Sequence, residues 1–276
     1  MTSAAHGSAR IPSGDPAYAG RTQRVREWFA SPLGAALLET ERELLDAVLP
    51  NLFGYYLLQV GALARPQAVS ASRIRGQICI FETPASETGT CHGVRGSAQA
   101  LPMAGDSIDV VVLQHVLEFQ ASAHEALREV ERVLVPEGHV IVIGFNPISL
   151  LGLWRVIARG RGALPWSGRF FGLTRLKDWM ALLGFDTVSV QTAFFRPPFS
   201  KPALLERAHG LEPLGARLWP YAGGVYILLA RKRVATLTPI KPRWRPRHGV
   251  VGIRLAEPTA SGCAPPSAAA CLAGCR

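Results

Sequence analysis

One histidine directly follows a strongly apolar run, and its imidazole side chain could take part in a reaction. Residues 108–113 are rich in β-branched side chains, and Gln114 and His115 follow them. Imidazole titrates near neutral pH, so His115 at the end of a predicted strand is a candidate general base. The alternative is that His115 packs there and forms hydrogen bonds without entering a reaction.

The elements that must position this histidine are short, nearly continuous apolar runs. Such runs are typical of buried strands in a parallel sheet. They predict strands at 55–60, 78–81, 108–113, 139–145, 187–194 and 224–230. The first of these runs ends at Gly61 and the second at Glu82, so a turn and an acid each follow a strand.

Helical periodicity appears between several of these runs. At 123–134 the apolar residues fall on one helical face and the charged residues largely on the other. Residues 21–49 predict a helical segment that Pro32 and Gly34 divide, and 173–184 predict a further helix with Thr174 as its N-cap. Strand, helix and strand between 108 and 145 form a βαβ unit, which predicts the α/β class.

The net charge of +10 is concentrated at one end of the chain. From residue 231 onward there are nine basic residues and one acid, Glu257, so the rest of the chain is nearly neutral. A nucleic-acid-binding domain normally carries its basic excess on the folded surface, which this distribution excludes. We therefore predict a disordered arm at 1–20, one domain at 21–233 and a basic, Pro-rich, disordered tail at 234–276.

Cysteine spacing and hydropathy restrict the class of protein further. The five cysteines include no C-x-x-C pair, so neither a zinc site nor a disulfide framework is predicted. Residues 1–20 lack the apolar stretch of a secretion signal, and no run approaches the roughly 18 apolar residues of a membrane-spanning helix. These features predict a cytoplasmic protein.

Three stretches of sequence have the form of known motifs. Residues 96–103 read GSAQALPM, residues 106–119 read DSIDVVVLQHVLEF, and residues 134–138 read LVPEG. Together they resemble the motifs of class I S-adenosylmethionine-dependent methyltransferases. The resemblance covers about residues 40–232, and residues 144–150 resemble an uncharacterised bacterial branch of that family, close to its type 11 members. It implies a Rossmann-like, doubly wound, mostly parallel seven-stranded sheet.

The resemblance also implies S-adenosylmethionine (SAM) as the cofactor and assigns residues to it. Gly61 matches the first glycine after the first strand, and Glu82 matches the acid that binds the ribose hydroxyls. Ser97, Ala98 and Gln99 match the adenine-binding turn, while Gln114 and His115 match positions beside the methionine part of the cofactor. A carboxylate suits the ribose because it accepts two charge-assisted hydrogen bonds.

The first glycine loop departs from the family pattern. Where the family reads D/E-x-G-x-G-x-G, this chain reads QVGALAR at 59–65, so Gln59 replaces the acid and Leu63 replaces the second glycine. Glycine serves there because a Cβ obstructs close approach of the backbone to a ligand. We expect Leu63 to weaken cofactor binding.

Several functions remain open at the level of sequence. The first is a methyltransferase acting on an unknown acceptor, most simply a small molecule, with no metal. The second is a non-catalytic relative that serves as a binding or scaffold module. The third is an RNA-associated methyltransferase that uses its basic tail. The apolar segment 148–158 could cap a substrate pocket, lie at a membrane surface or cover the sheet edge.

Overall fold

The computed structural model describes residues 16–64, 66–81, 92–158, 168–197 and 212–234. The chain divides into two units, Met1–Ala235 and Thr236–Arg276, and the second lies outside the described residues together with the predicted basic tail. A helix begins at Pro16, inside the segment predicted as a disordered arm.

Helices and strands alternate along the described chain. The helices are α1 (Pro16–Phe29), α2 (Pro32–Val48), α3 (Ala123–Val133), α4 (Leu150–Ala158), α5 (Leu173–Leu182) and α6 (Glu212–Leu218). The strands are β1 (Tyr56–Val60), β2 (Gly76–Phe81), β3 (His92–Arg95), β4 (Ile108–Gln114), β5 (Leu134–Phe145), β6 (Phe185–Ala193) and β7 (Val225–Lys232). Short 3-10 helices lie at Leu49–Asn51 and Pro66–Val69.

The seven strands form one sheet in the order β3-β2-β1-β4-β5-β7-β6. Strands β1 to β5 pair in parallel, whereas β7 runs antiparallel to both β5 and β6. The predicted doubly wound, mostly parallel sheet is therefore confirmed. Strand β3 is the one member of the sheet that the apolar runs did not indicate, because HGVR carries only a single large apolar residue.

The predicted break between the first two helices is confirmed and has a local cause. Ser31 caps α2 by accepting a hydrogen bond from the backbone N–H of Gly34, and Pro32 occupies the first turn, where its missing N–H costs nothing. The buried face of α2 includes Leu37, Glu41 and Leu45, which are spaced four residues apart. The carboxylate of Glu41 is therefore buried in the interior of the domain.

Two expectations about the body of the domain are wrong. Helix α5 has Gly172 and not Thr174 as its N-cap, because Gly172 has the extended backbone of a cap and its carbonyl accepts the first helical hydrogen bond, from Leu176. Cys79 is disulfide-bonded, although cysteine spacing had predicted no disulfide. Spacing along the chain reveals local motifs, whereas a disulfide depends on which residues the fold brings together.

Candidate functional site at the carboxyl edge of the sheet

The residues assigned from sequence converge because parallel strands end at a common edge. Strand β1 ends before Gly61, β4 ends at Gln114, and β5 ends at Phe145. His115 follows β4 with a φ of 50°, an uncommon left-handed conformation for a non-glycine residue. This turn redirects the chain after β4 toward the candidate site at the carboxyl edge.

His115 lies between two carboxylates in the protein interior. Its Nε2 is 2.7 Å from Oε1 of Glu41, and its Nδ1 is 3.2 Å from Oε1 of Glu118. All three side chains are almost fully buried. Its ring also packs against Phe145, with ring centroids 4.2 Å apart, and against Phe29 of α1.

This environment holds His115 in its charged form. Burial opposes the charge, but Coulombic attraction to Glu41 and hydrogen bonds to both carboxylates outweigh it and raise the pKa of His115 to about 10. Both ring nitrogens then donate hydrogen bonds at neutral pH. The imidazole has no lone pair with which to accept a proton from a methyl acceptor.

The carboxylates connect this histidine to three elements. Glu41 on α2 accepts a second hydrogen bond, 2.7 Å long, from Nε2 of Gln114. Glu118 accepts a 2.9 Å hydrogen bond from the backbone N–H of Phe145. Burial, together with the Glu118 charge, raises the pKa of the Tyr226 hydroxyl well above its ordinary value, so Tyr226 stays neutral. The network joins α2, β4 and β5 at the carboxyl edge.

A narrow slot lies beside the turn after β1. Its walls are formed by the ends of β1 and β2, the segments around Gly96 and Ala98, and Val116, and Thr22 of α1 contributes a further side chain. The slot has a volume of about 10 Å³, which is about the space of one water molecule. Gly61 has a φ of 130°, and a Cβ there would lie 2.9 Å from the carbonyl oxygen of Gln114.

Helix α1 closes this slot from outside. Nε of Arg26 donates a 2.8 Å hydrogen bond to the carbonyl oxygen of Ala62, in the loop after β1. Val25 and Phe29 are each 1% exposed and belong to a buried apolar cluster that also contains Leu63. The residue in place of the second family glycine therefore packs inward beneath α1.

A larger cavity lies on the other side of Leu63. It has a volume of about 320 Å³ and lies between α2, the end of α1 and the 3-10 helix at Pro66–Val69. Most of its wall is apolar, Gln114 lines it, and the exposed pair Glu39 and Arg42 lies at its rim. Leu63 borders this cavity, while its neighbours Gly61 and Ala62 border the slot.

Gln114 has an oriented but unsatisfied amide. Its Nε2 donates to Glu41, a carboxylate that can only accept, so this contact decides which way the amide points. The other end of the amide, Oε1, is buried and has no hydrogen-bond partner. Such an atom is costly to leave unpaired, and a ligand with an N–H or O–H donor would satisfy it.

The remaining residues assigned by resemblance are only partly described. The Ser97 hydroxyl accepts a hydrogen bond from the backbone N–H of Gln99, and Nε2 of Gln99 donates to the carbonyl oxygen of Ser122. Ala98 is buried and forms part of the slot wall. Glu82 lies outside the described residues.

Glu41 and Glu118 are the functional residues that sequence reasoning missed. The available signal for Glu41 was its position between Leu37 and Leu45 on the buried face of a helix, where an acid needs a partner. The signal for Glu118 was only its place three residues after His115. In the described part of the chain, no group of acids, histidines and cysteines could hold a metal ion.

The chain has relatives among known proteins. A family model described as a methyltransferase domain matches residues 67–142. The uncharacterized protein YafS of Escherichia coli (strain K12) is 31% identical over 216 residues, which cover 78% of this chain and 84% of YafS. This chain belongs to the YafS family.

More distant relatives agree on the fold. The biotin biosynthesis bifunctional protein BioHC of Cellvibrio japonicus is 28% identical over 123 residues, covering 45% of this chain and 24% of BioHC. The structure of a SAM-dependent methyltransferase from Thermotoga maritima aligns with a TM-score of 0.54 at 18% identity, covering 71% of this chain and 89% of that one. The chain has the class I methyltransferase fold.

The methyltransferase domain implies SAM as the cofactor, but the slot beside Gly61 is too small for it in the described conformation. Pockets for ligands of this size occupy about 300–1,000 Å³, whereas the slot offers about 10 Å³. The unpaired Oε1 of Gln114 suits a donor group of such a ligand, but the slot beside Gly61, which Thr22 of α1 lines, has no room for the whole molecule. SAM does not fit the site while α1 covers it.

Proposed function

We propose that this protein is a SAM-dependent methyltransferase that acts on a small-molecule acceptor. The observation that carries the proposal is the glycine turn at Gly61, placed at the carboxyl edge where doubly wound sheets bind ligands. The match to a methyltransferase domain supports it. Methyl transfer depends chiefly on aligned, desolvated reactants, so the lack of a free base at His115 does not oppose it.

The proposed cofactor-binding residues are those assigned by resemblance: Gly61, Glu82, Ser97, Ala98, Gln99 and Gln114. For them to contact SAM, α1 must first move away from the loop after β1. Such a movement breaks the hydrogen bond from Arg26 to Ala62, the packing of Val25, and the ring contacts of Trp28 and Phe29 with Phe145 and His115.

His115 has a different proposed role from the one predicted for it. Its two nitrogens donate to Glu41 and Glu118, so it acts as a positioning residue and not as a base. Through Glu41 it orients the amide of Gln114, whose unpaired Oε1 suits a ligand's donor group.

Calorimetric titration of the full chain with SAM tests the proposal. We expect weak, saturable binding by the unaltered protein and tighter binding by Arg26→Ala, because α1 loses its hydrogen bond to Ala62. Gln23→Ala serves as the control and should change nothing, because Gln23 is exposed on the same helix and its hydrogen bond, to Glu27, stays within that helix. Glu82→Ala should abolish binding. No saturable heat in any variant would contradict the proposal.

A second candidate is a methyltransferase-fold protein that serves as a binding or scaffold module. The closed slot favours it, because the helix that covers the slot is well packed. The calorimetric result decides between the two, since a scaffold gives no heat with SAM even after α1 is loosened.

Contact with RNA through the basic tail stays a prediction, because the tail lies outside the described residues.

A further inference from the structure

Helix α4 exposes apolar side chains where a helix at the edge of a domain normally exposes polar ones. Leu153 is 62% exposed and Val156 is 72% exposed, while Leu151, which faces inward, is 1% exposed. Leu150 and Trp154 are also exposed, and with Leu153 they have the i, i+3, i+4 spacing of a single helical stripe. The helix is therefore apolar on its outer as well as its inner face.

A second group of exposed apolar residues adjoins this helix. Three large apolar residues at and just after the end of α6 are each more than two-thirds exposed, namely Leu218, Trp219 and Tyr221. Nδ2 of Asn146 donates hydrogen bonds of 2.7 and 3.0 Å to the carbonyl oxygens of Tyr221 and Gly223. Because Asn146 lies just before α4, both groups flank the same turn after β5. We call them together the α4 surface.

The charge around the α4 surface is mostly basic. From residue 138 to residue 177 the sequence contains no acid, and the basic residues of this range that the structure describes are Arg155, Arg169, Arg175 and Lys177. The exposed acid Asp178 follows them and lines the same cavity as Lys177. The guanidinium group of Arg155 lies over the ring of Phe170 and donates to the carbonyl oxygen of Gly168. Arg175 and Lys177 at the start of α5 are exposed, and Lys177 lines the same cavity as Tyr221.

We propose that the α4 surface docks on an anionic lipid bilayer. Exposed leucine, valine and tryptophan side chains with surrounding arginines are the features by which helices lie in the interfacial plane of a membrane. Tryptophan and tyrosine are enriched at that depth because they combine an apolar ring with a polar edge. Cationic groups beside them are attracted to anionic headgroups.

This occupant fits better than a nucleic acid or a second copy of the chain. RNA is bound by aromatic rings that stack on bases, whereas most of the side chains on α4 are aliphatic. A symmetric self-contact would place the basic groups of the two copies near one another, in excess over the acid Asp178 beside them. The proposal extends beyond the proposed methyl transfer and does not depend on it, because the surface lies outside the slot after β1.

Sedimentation of the full chain with lipid vesicles tests the proposal. We expect binding to vesicles of mixed phosphatidylcholine and phosphatidylglycerol, and at least about tenfold weaker binding to phosphatidylcholine alone, because two or more basic groups lose their attraction to the surface. The double variant Leu153→Glu with Val156→Glu should lose most of the binding to anionic vesicles. Leu182→Glu with Val188→Glu is the matched control, since it adds the same charge at two exposed apolar residues, 84% and 53% exposed, that are not part of the α4 surface.

Each outcome of this experiment decides the proposal. Loss of binding in the double variant alone supports it. Equal binding by the double variant and the unaltered protein overturns it, because the tail or general charge would then be responsible. Absence of vesicle binding overturns it too, and in that case sedimentation equilibrium and an RNA titration of the same proteins show whether a second copy or RNA is the occupant. Circular dichroism confirms that the variants are folded.

Discussion

The Nε2 atom of His115 lies 2.7 Å from Oε1 of Glu41, a residue 74 positions earlier in the chain. This contact holds α2 against the carboxyl edge of the sheet. It also pairs the imidazole of His115 with one of the two carboxylates that flank it. The second carboxylate, Glu118, also bonds the backbone of Phe145. The result is a buried charged network at the place where the sequence suggested a catalytic base.

The network predicts that the protein loses stability in alkaline solution. The pKa of His115 rises from 6.5 to about 10 on folding, so its contribution is fully present below pH 6.5 and is lost as the pH rises toward 10. The free energy of unfolding, measured with denaturant across this range, should fall. In His115→Gln, which cannot titrate, the decline should be smaller, and an equal decline would contradict the assignment.

Removal of Glu41 should be costly. Glu41→Ala leaves a buried imidazolium without its nearest counter-ion, and breaking a buried pair in this way typically costs about 3–5 kcal/mol. Denaturant unfolding measures the loss. The matched control is Glu39→Ala on the same helix, whose ion pair with Arg42 lies at the surface, where solvent screens it, and is expected to contribute far less. Similar losses in the two variants would show that the network contributes little.

Leu63 should limit cofactor binding, because its side chain borders the cavity that Gln114 lines, directly after the two residues that border the slot. Leu63→Gly is expected to join the two spaces and to tighten SAM binding, by about 5- to 150-fold if a misfit of roughly 1–3 kcal/mol is relieved. Calorimetry measures this change. Leu63→Ala, which retains a Cβ, should produce a smaller effect.

A loss of stability is expected to accompany the tighter binding. Truncation of a buried leucine usually costs about 2–5 kcal/mol, so thermal unfolding should be recorded for both Leu63 variants to confirm that they are folded during titration. Affinity for SAM that is unchanged or lower in folded Leu63→Gly would show that the leucine does not obstruct the site.

Gly61 should not tolerate a side chain. Its φ of 130° is rarely adopted by other residues, and a Cβ would lie 2.9 Å from both the Gln114 carbonyl oxygen and Cγ2 of Val116. Gly61→Ala should therefore lower the free energy of unfolding by about 1–3 kcal/mol. Gly93→Ala is the control, because its nearest contact, at 3.5 Å, is ordinary. If both variants unfold alike, the turn after β1 is more adaptable than this geometry indicates.

The sheet could be predicted because most of its strands have a recognisable local sequence pattern. The runs that became β1, β2, β4 and β5 are short and apolar, and those of β4 and β5 are also rich in β-branched residues, a pattern typical of strands in a parallel sheet. The turn at Gly61 and the motif around His115 were likewise visible, since each depends on neighbours within a few residues. The family resemblance rested on the same local stretches.

The state of the site, by contrast, was decided only by tertiary structure. The sequence by itself determined that a histidine follows β4, but Glu41 reaches that histidine from a helix more than seventy residues away and makes it a cation. Likewise, the sequence shows Leu63 only as a leucine where the family has a glycine. Its packing beneath α1 depends on the folding of the N-terminal segment over the carboxyl edge of the sheet. Protonation and access depend on such distant contacts, because burial and Coulombic attraction act through space and not along the chain.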